Sequence, residues 1–537
     1  MKRICLILLL SLVSALLLAT TYYIDYNAAD DSANGTSTDT PWKRHPYMAT
    51  FSGTYVHSAG DQFIFKGGVT WPNACFRMHI VAGGSGAGTR DYYGVDASWY
   101  TGGAWARPIW DMEDTETAST NCVMDFDNGI SYVTVDNIEV TQFYWTGATS
   151  YGDDVIFQYR ACTYFTFQTL YIHSWTHGTT GAGTTDQALI FNGNTSAPFG
   201  TGCIIEDCIA DGSEVADSMC FNYGGCPIIR NNTIHDVTNG MFSVGNSYAN
   251  HLCYGNDIYN IRNSFDAAQH ENGITIYGPG KTYNNKIHDL DAGMPLYPGP
   301  SIDLTEDMLI YNNIVWNIPD TYAITVDNET GDMTGTIYIL NNTFRGYSGT
   351  GACLRVQDRG YSFAKVVIQN NHWITAAADA TAIEAEVTIL TEDHNLKQTD
   401  AEATAEGYVE GNEFAPTDGE DSTIDGGISQ SGYFTLDILG VSRPQGVIWD
   451  MGAYEYPAGM EEPPEISKVV MVLLSQIFLW IILPILLLIS SFEGYLIWRM
   501  NLIIKSHEAR IRFFEDGANF EAWYELHHDI FNLEEPR

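Results

Sequence analysis

Basic residues are scarce in this chain. Its 537 residues include 25 lysines and arginines against 66 aspartates and glutamates, which gives a formal net charge of −41. This balance argues against a nucleic-acid partner, because affinity for a phosphate backbone comes from clustered basic side chains. It also disfavours unaided capture of polyanionic substrates, which the field of the protein repels unless a cation such as Ca²⁺ intervenes.

A zinc-type cysteine pattern is also missing. The chain has ten cysteines, of which Cys5 falls in the apolar N-terminal leader. The pairs Cys203/Cys208 and Cys220/Cys226 are spaced too widely for a CxxC metal motif. The cysteines beyond the leader are odd in number, so at least one thiol is free or pairs between chains. We predict thiols buried within strands, with one or two disulfides as the alternative.

Helical periodicity is absent from the central part of the chain, where an asparagine step recurs every 24 to 29 residues instead. The step occurs at Asn231-Asn232, Gly255-Asn256, Asn284-Asn285, Asn312-Asn313, Asn341-Asn342 and Asn370-Asn371. Such a period is typical of a solenoid, and the β-branched and aromatic runs between the steps indicate strands. Asn accepts the left-handed backbone of a tight corner. Amides of coils stacked about 4.8 Å apart also lie within hydrogen-bonding reach, so the step is predicted to be structural.

The N-terminal leader predicts export. Residues 1–20 begin with Lys2-Arg3, continue as an almost wholly apolar run, and end in the small residues Ala19 and Thr20. This order is typical of a cleaved signal peptide. An uncleaved anchor is the alternative.

The C-terminal region predicts a membrane anchor. A linker over 457–468 leads to a predicted transmembrane helix over 469–498, apolar and uncharged through residue 492, which is long enough to cross the hydrocarbon core. Basic residues including Arg499 and Lys505 follow it. By the positive-inside rule the tail, 499–537, is cytoplasmic and the remainder lies outside, with membrane lipid as a partner of the helix.

Segments near both ends of the region over 22–456 resemble known proteins. The opening, YYIDYNAADDSANGTSTDTPWK from Tyr22, and GDQFIFKGG from Gly60 resemble the start of right-handed parallel β-helix proteins of the pectate-lyase-like superfamily. The close, WDMGAYEY from Trp449, resembles that of choice-of-anchor Q domain-containing surface proteins. The resemblance implies an all-β, right-handed parallel β-helix ectodomain, tethered by a C-terminal single transmembrane helix. Arg443 and Asp450 are predicted to be structural partners in its closing segment.

Aromatic residues cluster in an irregular stretch before the regular coils. Trp99, Tyr100 and Trp105 follow a glycine-rich run. Exposed aromatic rings stack on the apolar faces of sugars, so these three are predicted substrate-binding residues. The alternative is that they cover the N-terminal end of the solenoid.

An acidic column is predicted where one strand of each coil begins. We place these strands at 155–158, 188–192, 219–222, 241–244, 273–276, 302–304 and 323–326. The candidate catalytic residues before them are Asp154, Asp186, Asp217, His270 and Glu271. Asn222, in the strand after Asp217, is a candidate substrate-binding residue. A last strand is expected near 382–390, followed by a polar tail over 391–446.

Three interpretations of this column stay open. Carboxylates on adjacent or alternate coils lie about 5 or 10 Å apart, which brackets the separations used by retaining and inverting glycoside hydrolases. Alternatively, Asp186, Asp217 and Glu271 hold Ca²⁺, which neutralises a uronate while a base removes a proton, as in a polysaccharide lyase. In the third interpretation, Asp and Asn only cap turns.

The sequence therefore predicts an extracytoplasmic, membrane-anchored β-helix protein whose partner is a polysaccharide or surface glycan. A lyase or a glycoside hydrolase is the first function expected from it. A non-catalytic glycan-binding or adhesin-like surface protein is the alternative, since fold alone does not decide function.

Overall fold

The computed structural model describes most of the chain between residues 19 and 457. The described residues are 19–117, 122–145, 155–159, 162–177, 188–191, 201–213, 221–222, 226–244, 250–262, 271–291, 293–299, 305–318, 322–327, 332–346, 352–357, 359–361, 363–375, 383–386, 390–419 and 421–457. No helix in these ranges is long and apolar enough to cross a membrane. The predicted transmembrane helix and tail, and nearly all of the predicted signal peptide, fall outside them.

Two long parallel sheets run along the molecule. Thirteen strands form the first, in the order Thr21–Ile24, Gln62–Phe65, Asp91–Gly94, Ser131–Asp136, Thr163–Gln168, Ile204–Glu206, Ile228–Arg230, His251–Tyr254, Gly280–Tyr283, Met308–Tyr311, Met333–Leu340, Phe363–Gln369 and Leu390–Asp393. Twelve form the second, in the order Thr70–Pro72, Ile109–Asp111, Glu139–Thr141, Tyr171–His173, Ile209–Asp211, Thr233–Val237, Asp257–Ile261, Lys286–Leu290, Ile314–Trp316, Thr343–Arg345, His372–Thr375 and Leu396–Thr399.

A third face completes each coil. Its seven-stranded sheet contains Phe221–Asn222, Met241–Val244, Ile274–Ile276, Leu296–Pro298, Ile324–Asp327, Leu354–Gln357 and Ile383–Ala385. Smaller parallel sheets are formed by Met78–Ile80, Met124–Phe126, Val155–Tyr159 and Ala188–Phe191, and by Glu116–Thr117, Tyr144–Trp145 and Thr176–His177. The chain passes through the three faces in turn, and neighbouring strands within each sheet are parallel. This is a parallel β-helix, as predicted.

Helical structure is minor within the described ranges. The α-helix Asp400–Ala405 begins at Thr399, which forms a capping box with Glu402. Two 3₁₀ turns cover Asn73–Cys75 and Glu410–Asn412. These elements flank the coils and do not interrupt the stack.

The interior of the coils is apolar. Strand residues alternate, so that one set points inward, as Phe165 and Phe167 do, while the intervening residues face outward. Eight cysteines belong to the described residues, and all eight are buried and free of disulfides. The expected buried thiols are thus confirmed for these residues; Cys5 and Cys220 lie outside them.

Each asparagine step is a corner between the thirteen- and twelve-stranded sheets. Its first residue has a left-handed backbone, with φ between 50° and 67° at Asn231, Gly255, Asn284, Asn312, Asn341 and Asn370. Its second residue donates a side-chain hydrogen bond to the next coil. These bonds join Asn232 to Asn256 (3.0 Å), Asn256 to Asn285 (2.8 Å), Asn285 to Asn313 (2.9 Å), Asn313 to Asn342 (3.0 Å), Asn342 to Asn371 (3.0 Å) and Asn371 to Asn395 (2.9 Å). Both predicted roles of Asn are confirmed. The first residue of the pair forms the left-handed corner, and the second forms the side-chain hydrogen bonds between coils.

Two strand predictions were wrong. The strand paired with Ile274–Ile276 is Leu296–Pro298, because the connection into it, 291–295, is short and brings the chain back to this sheet sooner. The predicted strand at 302–304 does not take this place in the sheet, and it lies outside the described residues. The β-helix also continues beyond residue 390, since Leu390–Asp393 and Leu396–Thr399 add strands to both long sheets. Asn395 extends the ladder there without an Asn before it, since His394 takes the left-handed conformation with φ 49°.

Removing one ladder amide should weaken the fold. The Oδ1 atom of Asn285 accepts hydrogen bonds from the backbone (3.1 Å) and side chain (2.8 Å) of Asn256, and its Nδ2 donates to the carbonyl of Cys253 (3.0 Å). All these groups are buried, and each one left unsatisfied costs about 1–3 kcal/mol. We expect Asn285→Ala to lower the free energy of unfolding by about 3 kcal/mol, measured by urea denaturation.

The neighbouring residue provides the control. Asn284 has a left-handed backbone, and Gly255 occupies the equivalent position one coil earlier. Glycine takes that conformation without steric cost, so Asn284→Gly should change the free energy of unfolding by less than about 1 kcal/mol. Equal losses for the two variants would contradict the ladder's role.

Two buried histidines, His251 and His372, make stability depend on pH. Burial lowers the pKa of each to about 4 from 6.5. The unfolded chain therefore takes up protons first as the pH falls. The stabilisation is complete above pH 6.5 and is lost as the pH falls from there to about 4.

The variant His251→Asn tests this pH dependence. The His251 ring lies 2.7 Å from the Pro279 carbonyl and 3.0 Å from the Thr282 hydroxyl, and Asn keeps a polar group there. We expect the variant to lose about 1.4 kcal/mol per pH unit of the wild-type slope of stability in that window. Urea denaturation at several pH values in this window measures the slope for each protein. Equal slopes for His251→Asn and the wild type would refute the assignment.

The C-terminal segment, residues 400–457, packs against the asparagine corners. The side-chain amides of Asn312, Asn341 and Asn370 donate to the carbonyls of Leu436 (2.8 Å), Asp450 (2.8 Å) and Ile428 (2.7 Å). Its aromatic residues contact the outer sides of both long sheets, with Tyr408 and Phe414 on the twelve-stranded sheet and Tyr433 and Phe434 on the thirteen-stranded sheet.

Arg443 holds this segment together. Its Nη1 donates to the Asp450 carbonyl (3.1 Å) and to the Glu455 carboxylate (3.1 Å), and its Nη2 donates to the Gly452 carbonyl (2.9 Å). The predicted pairing with Asp450 is thus made through the backbone, and the carboxylate partner is Glu455.

Candidate functional site

The seven-stranded sheet is flanked by the variable connections of the fold. The corner between the two long sheets takes two residues in each coil from Asn231 onward. The connections into the seven-stranded sheet range from 238–240 to 262–273, and those leaving it range from 277–279 to 299–307. Binding and catalytic residues concentrate on variable loops carried by a rigid scaffold. Because the described contacts of the C-terminal segment lie on the other two faces, this third face is the candidate location of a site.

Most of the predicted acidic column lies outside the described residues. This applies to Asp154, Asp186, Asp217 and His270. Asn222 lies in the strand Phe221–Asn222 as predicted, where only its backbone is described. Glu271 is buried at the start of the seven-stranded sheet, at 7% exposure, and its carbonyl lies close to Gly293 of the next coil.

Two asparagines at this edge of the sheet, Asn272 and Asn239, are buried as Glu271 is. Asn272 donates to the Thr275 hydroxyl (3.1 Å) and accepts from the Met294 backbone (3.0 Å). One coil earlier, Asn239 is buried and its Oδ1 accepts no hydrogen bond from described residues. The edge of this sheet therefore carries polar side chains without solvent contact.

The three predicted sugar-stacking residues lie elsewhere. Trp99, Tyr100 and Trp105 surround Gly67, at the corner between the long sheets in the first coils. Trp99 contacts the ring of Tyr23 edge-on, with centroids 5.1 Å apart, and the Lys66 ammonium lies 5.5 Å over it. Tyr100 is 38% exposed. Their contacts fit a covering role at this end of the solenoid, and the described contacts do not join them to Glu271.

A polar strip runs along the outer side of the seven-stranded sheet. Its residues alternate with inward-facing Ile and Val, and they are Thr275, Tyr297, Thr325, Asp327, Arg355, Gln357 and Glu384. Thr275 pairs with Tyr297 in register, and Thr325 pairs with Arg355, which pairs with Glu384. Thr275, Tyr297, Thr325 and Asp327 are buried, whereas Arg355 and Gln357 are half-buried and Glu384 is exposed, so solvent reaches the strip from its later strands.

Asp327 is the centre of this strip. Its side chain is fully buried, and its Oδ2 accepts hydrogen bonds from Arg359 Nε (2.6 Å) and the Tyr297 hydroxyl (3.3 Å). Its Oδ1 is buried and accepts no hydrogen bond from described residues. A buried carboxylate oxygen without a partner is costly, and such groups in native proteins often mark a functional site.

A second carboxylate lies in the same column. Asp327 pairs in register with Gln357, and Glu386 follows one coil further on, where its backbone bonds to the Val356 carbonyl. Asp327 and Glu386 are thus on alternate coils, about 10 Å apart at the backbone. Arg355 Nη2 lies 3.5 Å from the Glu386 carboxylate.

Tyr322 lies beside two residues of the strip, Arg355 and Glu384. The Tyr322 hydroxyl donates to Glu384 (2.7 Å), and the Arg355 guanidinium lies 5.6 Å from the Tyr322 ring centre. Burial and this hydrogen bond raise the pKa of Tyr322, so the hydroxyl stays protonated at neutral pH and donates this hydrogen bond. The strip and the residues that contact it therefore combine acids with Arg355, Arg359, Tyr297 and Tyr322.

The twelve-stranded sheet carries a second cluster of titratable side chains. Asp211, His235 and Asp236 there have potential ligand atoms within 4.8 Å of one another, the one such group in the described ranges. The carboxylate oxygens of this group already accept hydrogen bonds from the protein. For example, the Ser213 backbone donates to Asp211 over 2.7 Å. Nearby rings stack face to face, in the order His235, Tyr259, His288 and Trp316, and the last two have centroids 4.1 Å apart.

Sequence reasoning missed Asp327, Arg359 and Glu386. The strand predicted at 323–326 is confirmed as Ile324–Asp327, but Asp327 ends this strand, whereas the predicted column consists of acids that precede strands. The alternation of Ile324, Thr325, Val326 and Asp327 was an available signal, because it places a carboxylate on the outer face.

Comparison with known proteins gave likenesses among solved structures alone. No protein-family model matches the chain. No curated protein matches it significantly. A rhamnogalacturonan lyase aligns at 12% identity over 70% of this chain and 87% of its own, with a TM-score of 0.35. A pectate lyase aligns at 14% identity over 82% and 98%, with a TM-score of 0.39. A lacto-N-biosidase from Eubacterium ramulus aligns at 12% identity over 71% and 67%, with a TM-score of 0.42.

At these identities and TM-scores the likenesses carry no argument about residues or activity. The parallel β-helix assignment rests on the chain's own strand order and register. The resemblance to choice-of-anchor Q proteins is not confirmed by them.

Proposed function

We propose that this protein is an extracytoplasmic, carbohydrate-acting β-helix protein that cleaves a polysaccharide along the polar strip of the seven-stranded sheet. The observation that carries the proposal is Asp327. It is a buried carboxylate with one oxygen fixed by Arg359 and Tyr297, and with the other uncommitted among described groups.

Hydrolysis with inversion is the reaction this geometry supports best. Inverting glycosidases use two carboxyl groups about 6.5–9.5 Å apart, with room for a water molecule between the base and the sugar. Asp327 and Glu386, on alternate coils, approach that separation. Asp327, beside the Arg359 cation, serves as the base that takes a proton from water. Glu386 donates a proton to the leaving oxygen.

Lyase chemistry is the second candidate. Arg355 and Arg359 on one face could neutralise a uronate carboxylate, and Tyr297 offers a proton-transfer group next to Asp327. The net charge of −41 weakens this alternative, because it repels a polyuronate.

The test is digestion of a polysaccharide panel by the purified protein. We expect new reducing ends from at least one neutral polysaccharide, without the ultraviolet absorbance of an unsaturated uronate. Reducing ends together with that absorbance would mean a lyase. Binding without cleavage across the panel would overturn the enzymatic proposal and favour the glycan-binding alternative.

Calcium remains part of the proposal through Asp186, Asp217 and Glu271. Carboxylate oxygens are the ligands Ca²⁺ prefers, and Glu271 is the member of the set in the described ranges. Digestions with added Ca²⁺ and with EDTA test it. Equal rates in both would remove calcium from the mechanism.

We also propose that the chain is exported and anchored. The support is the leader over 1–20 and the apolar run over 469–492 in the sequence. Protease treatment of intact cells should degrade the β-helix and spare the tail over 499–537. Protection of the β-helix would contradict this orientation.

A further inference from the structure

An open cavity lies at the N-terminal end of the thirteen-stranded sheet, on a different face from the polar strip. It has a volume of about 740 Å³ and is lined by strand residues together with Arg90 and two loop segments, 87–88 and 95–97. Ligand pockets commonly have volumes of about 300–1,000 Å³. This cavity therefore has room for a ligand the size of a short oligosaccharide.

The floor of the cavity is a row of outward-facing strand residues. Thr21, Gln62, Tyr92 and Thr134 pair with one another in register across four neighbouring strands. The strands lie about 4.8 Å apart, a spacing close to the length of one pyranose residue. Hydrogen-bonding groups thus recur along the stack at the repeat of a sugar chain.

Several of these groups are uncommitted. The side chains of Thr21, Gln62 and Thr134 make no hydrogen bond within the described structure, and Gln62 is exposed. By contrast, the Tyr92 hydroxyl is fixed by the Asp136 carboxylate (2.7 Å), and burial raises its pKa. The row therefore offers the side-chain hydroxyl and amide groups of Thr21, Gln62 and Thr134 to a ligand, beside a Tyr92 side chain that is held in place by its hydrogen bond.

The charges of the cavity balance. Arg90 lines one side and donates to the Val133 carbonyl (3.0 Å), while Asp96 lines the opposite loop and accepts from the Ser98 backbone (2.8 Å). One cation and one carboxylate leave no net charge. In a protein with a charge of −41, this site therefore favours an uncharged, hydroxyl-rich ligand.

We propose that this cavity is an accessory binding site for a neutral glycan, occupied by two or three sugar residues lying along the row from Thr21 to Thr134. Such a site tethers a polysaccharide to the protein apart from the polar strip, which raises the effective concentration of the chain near it. The choice of a glycan rests on the proposed function, whereas the experiment measures binding and does not depend on cleavage.

A glycine in the cavity wall provides the decisive variant. A Cβ atom added at Gly88 would meet no atom within 4 Å, so Gly88→Trp attaches a bulky ring to a residue that lines the cavity without a clash at the backbone. Gly103 has the same open surroundings in a loop that does not line the cavity, and Gly103→Trp is the matched control. A second variant, Gln62→Ala, removes an exposed amide from the floor.

Binding is measured by calorimetry on the full chain in detergent, carrying Asp327→Asn to prevent turnover. The probes are cellohexaose, xylohexaose, mannohexaose and maltohexaose. We expect at least one probe to bind, and we expect Gly88→Trp to lose one binding site for it. Gln62→Ala should weaken the affinity of that site about tenfold. Gly103→Trp should bind the probe as the parent protein does. Lack of binding by all four probes, or full site occupancy in Gly88→Trp, would overturn the proposal.

Discussion

Asp327→Asn should lower kcat on the responsive polysaccharide by about 10²–10⁴-fold, the range that acid–base catalysis typically contributes. The amide keeps the shape of the side chain but cannot accept the proton of the attacking water. Because Arg359 and Tyr297 bond to one oxygen alone, the amide oxygen can take that place and leave the fold intact. KM should change little, since the interaction lost belongs to the transition state.

The control for this variant is Asp400→Asn. Asp400 is bound by Arg345 through two bonds, of 2.9 and 3.1 Å, but on a part-exposed surface outside the strip. Its activity should match the wild type. Initial rates of reducing-end release decide the comparison, and wild-type activity in Asp327→Asn would refute the assignment of the base.

Arg443→Ala should destabilise the C-terminal segment by about 3–5 kcal/mol, the cost of removing one partner of a buried ion pair. Arg443 and Glu455 are both fully buried. Burial raises the pKa of Glu455, and the Arg443 charge opposes that shift. Without the guanidinium, Glu455 loses its cation and the carbonyls of Asp450 and Gly452 lose a donor.

Hydrogen exchange is the suitable measurement for Arg443→Ala. Solenoids unfold in parts, so amides of the C-terminal segment should exchange faster while those near Trp110 keep their protection. The control is Arg345→Ala, which breaks a part-exposed pair worth about 0–1 kcal/mol. Similar losses of protection in Arg443→Ala and Arg345→Ala would contradict the claim that burial strengthens the Arg443 pair.

The ladder could be predicted from the sequence because it repeats. Asn232, Asn256 and Asn285 stand at near-constant spacing, so a single coil geometry explains all of them. The same spacing indicated parallel strands, and hence the fold. The resemblance at Tyr22 and Trp449 implied where the described β-helix begins and where its closing segment ends.

The site could not be predicted in this way because it depends on irregular connections. Arg359 reaches Asp327 across a loop between strands, and no periodic pattern fixes the length of that loop. The misplaced strand at 302–304 has the same origin. Likewise, Arg443 could be assigned to the closing segment from sequence, but the choice of Glu455 over Asp450 depends on side-chain packing.

The anomeric configuration of the first product tests the central claim most directly. Proton NMR recorded during digestion of the responsive polysaccharide reports it before mutarotation. Carboxylates on alternate coils, Asp327 and Glu386, predict inversion at the cleaved carbon. Retention, or an unsaturated non-reducing end, would contradict the proposed pair.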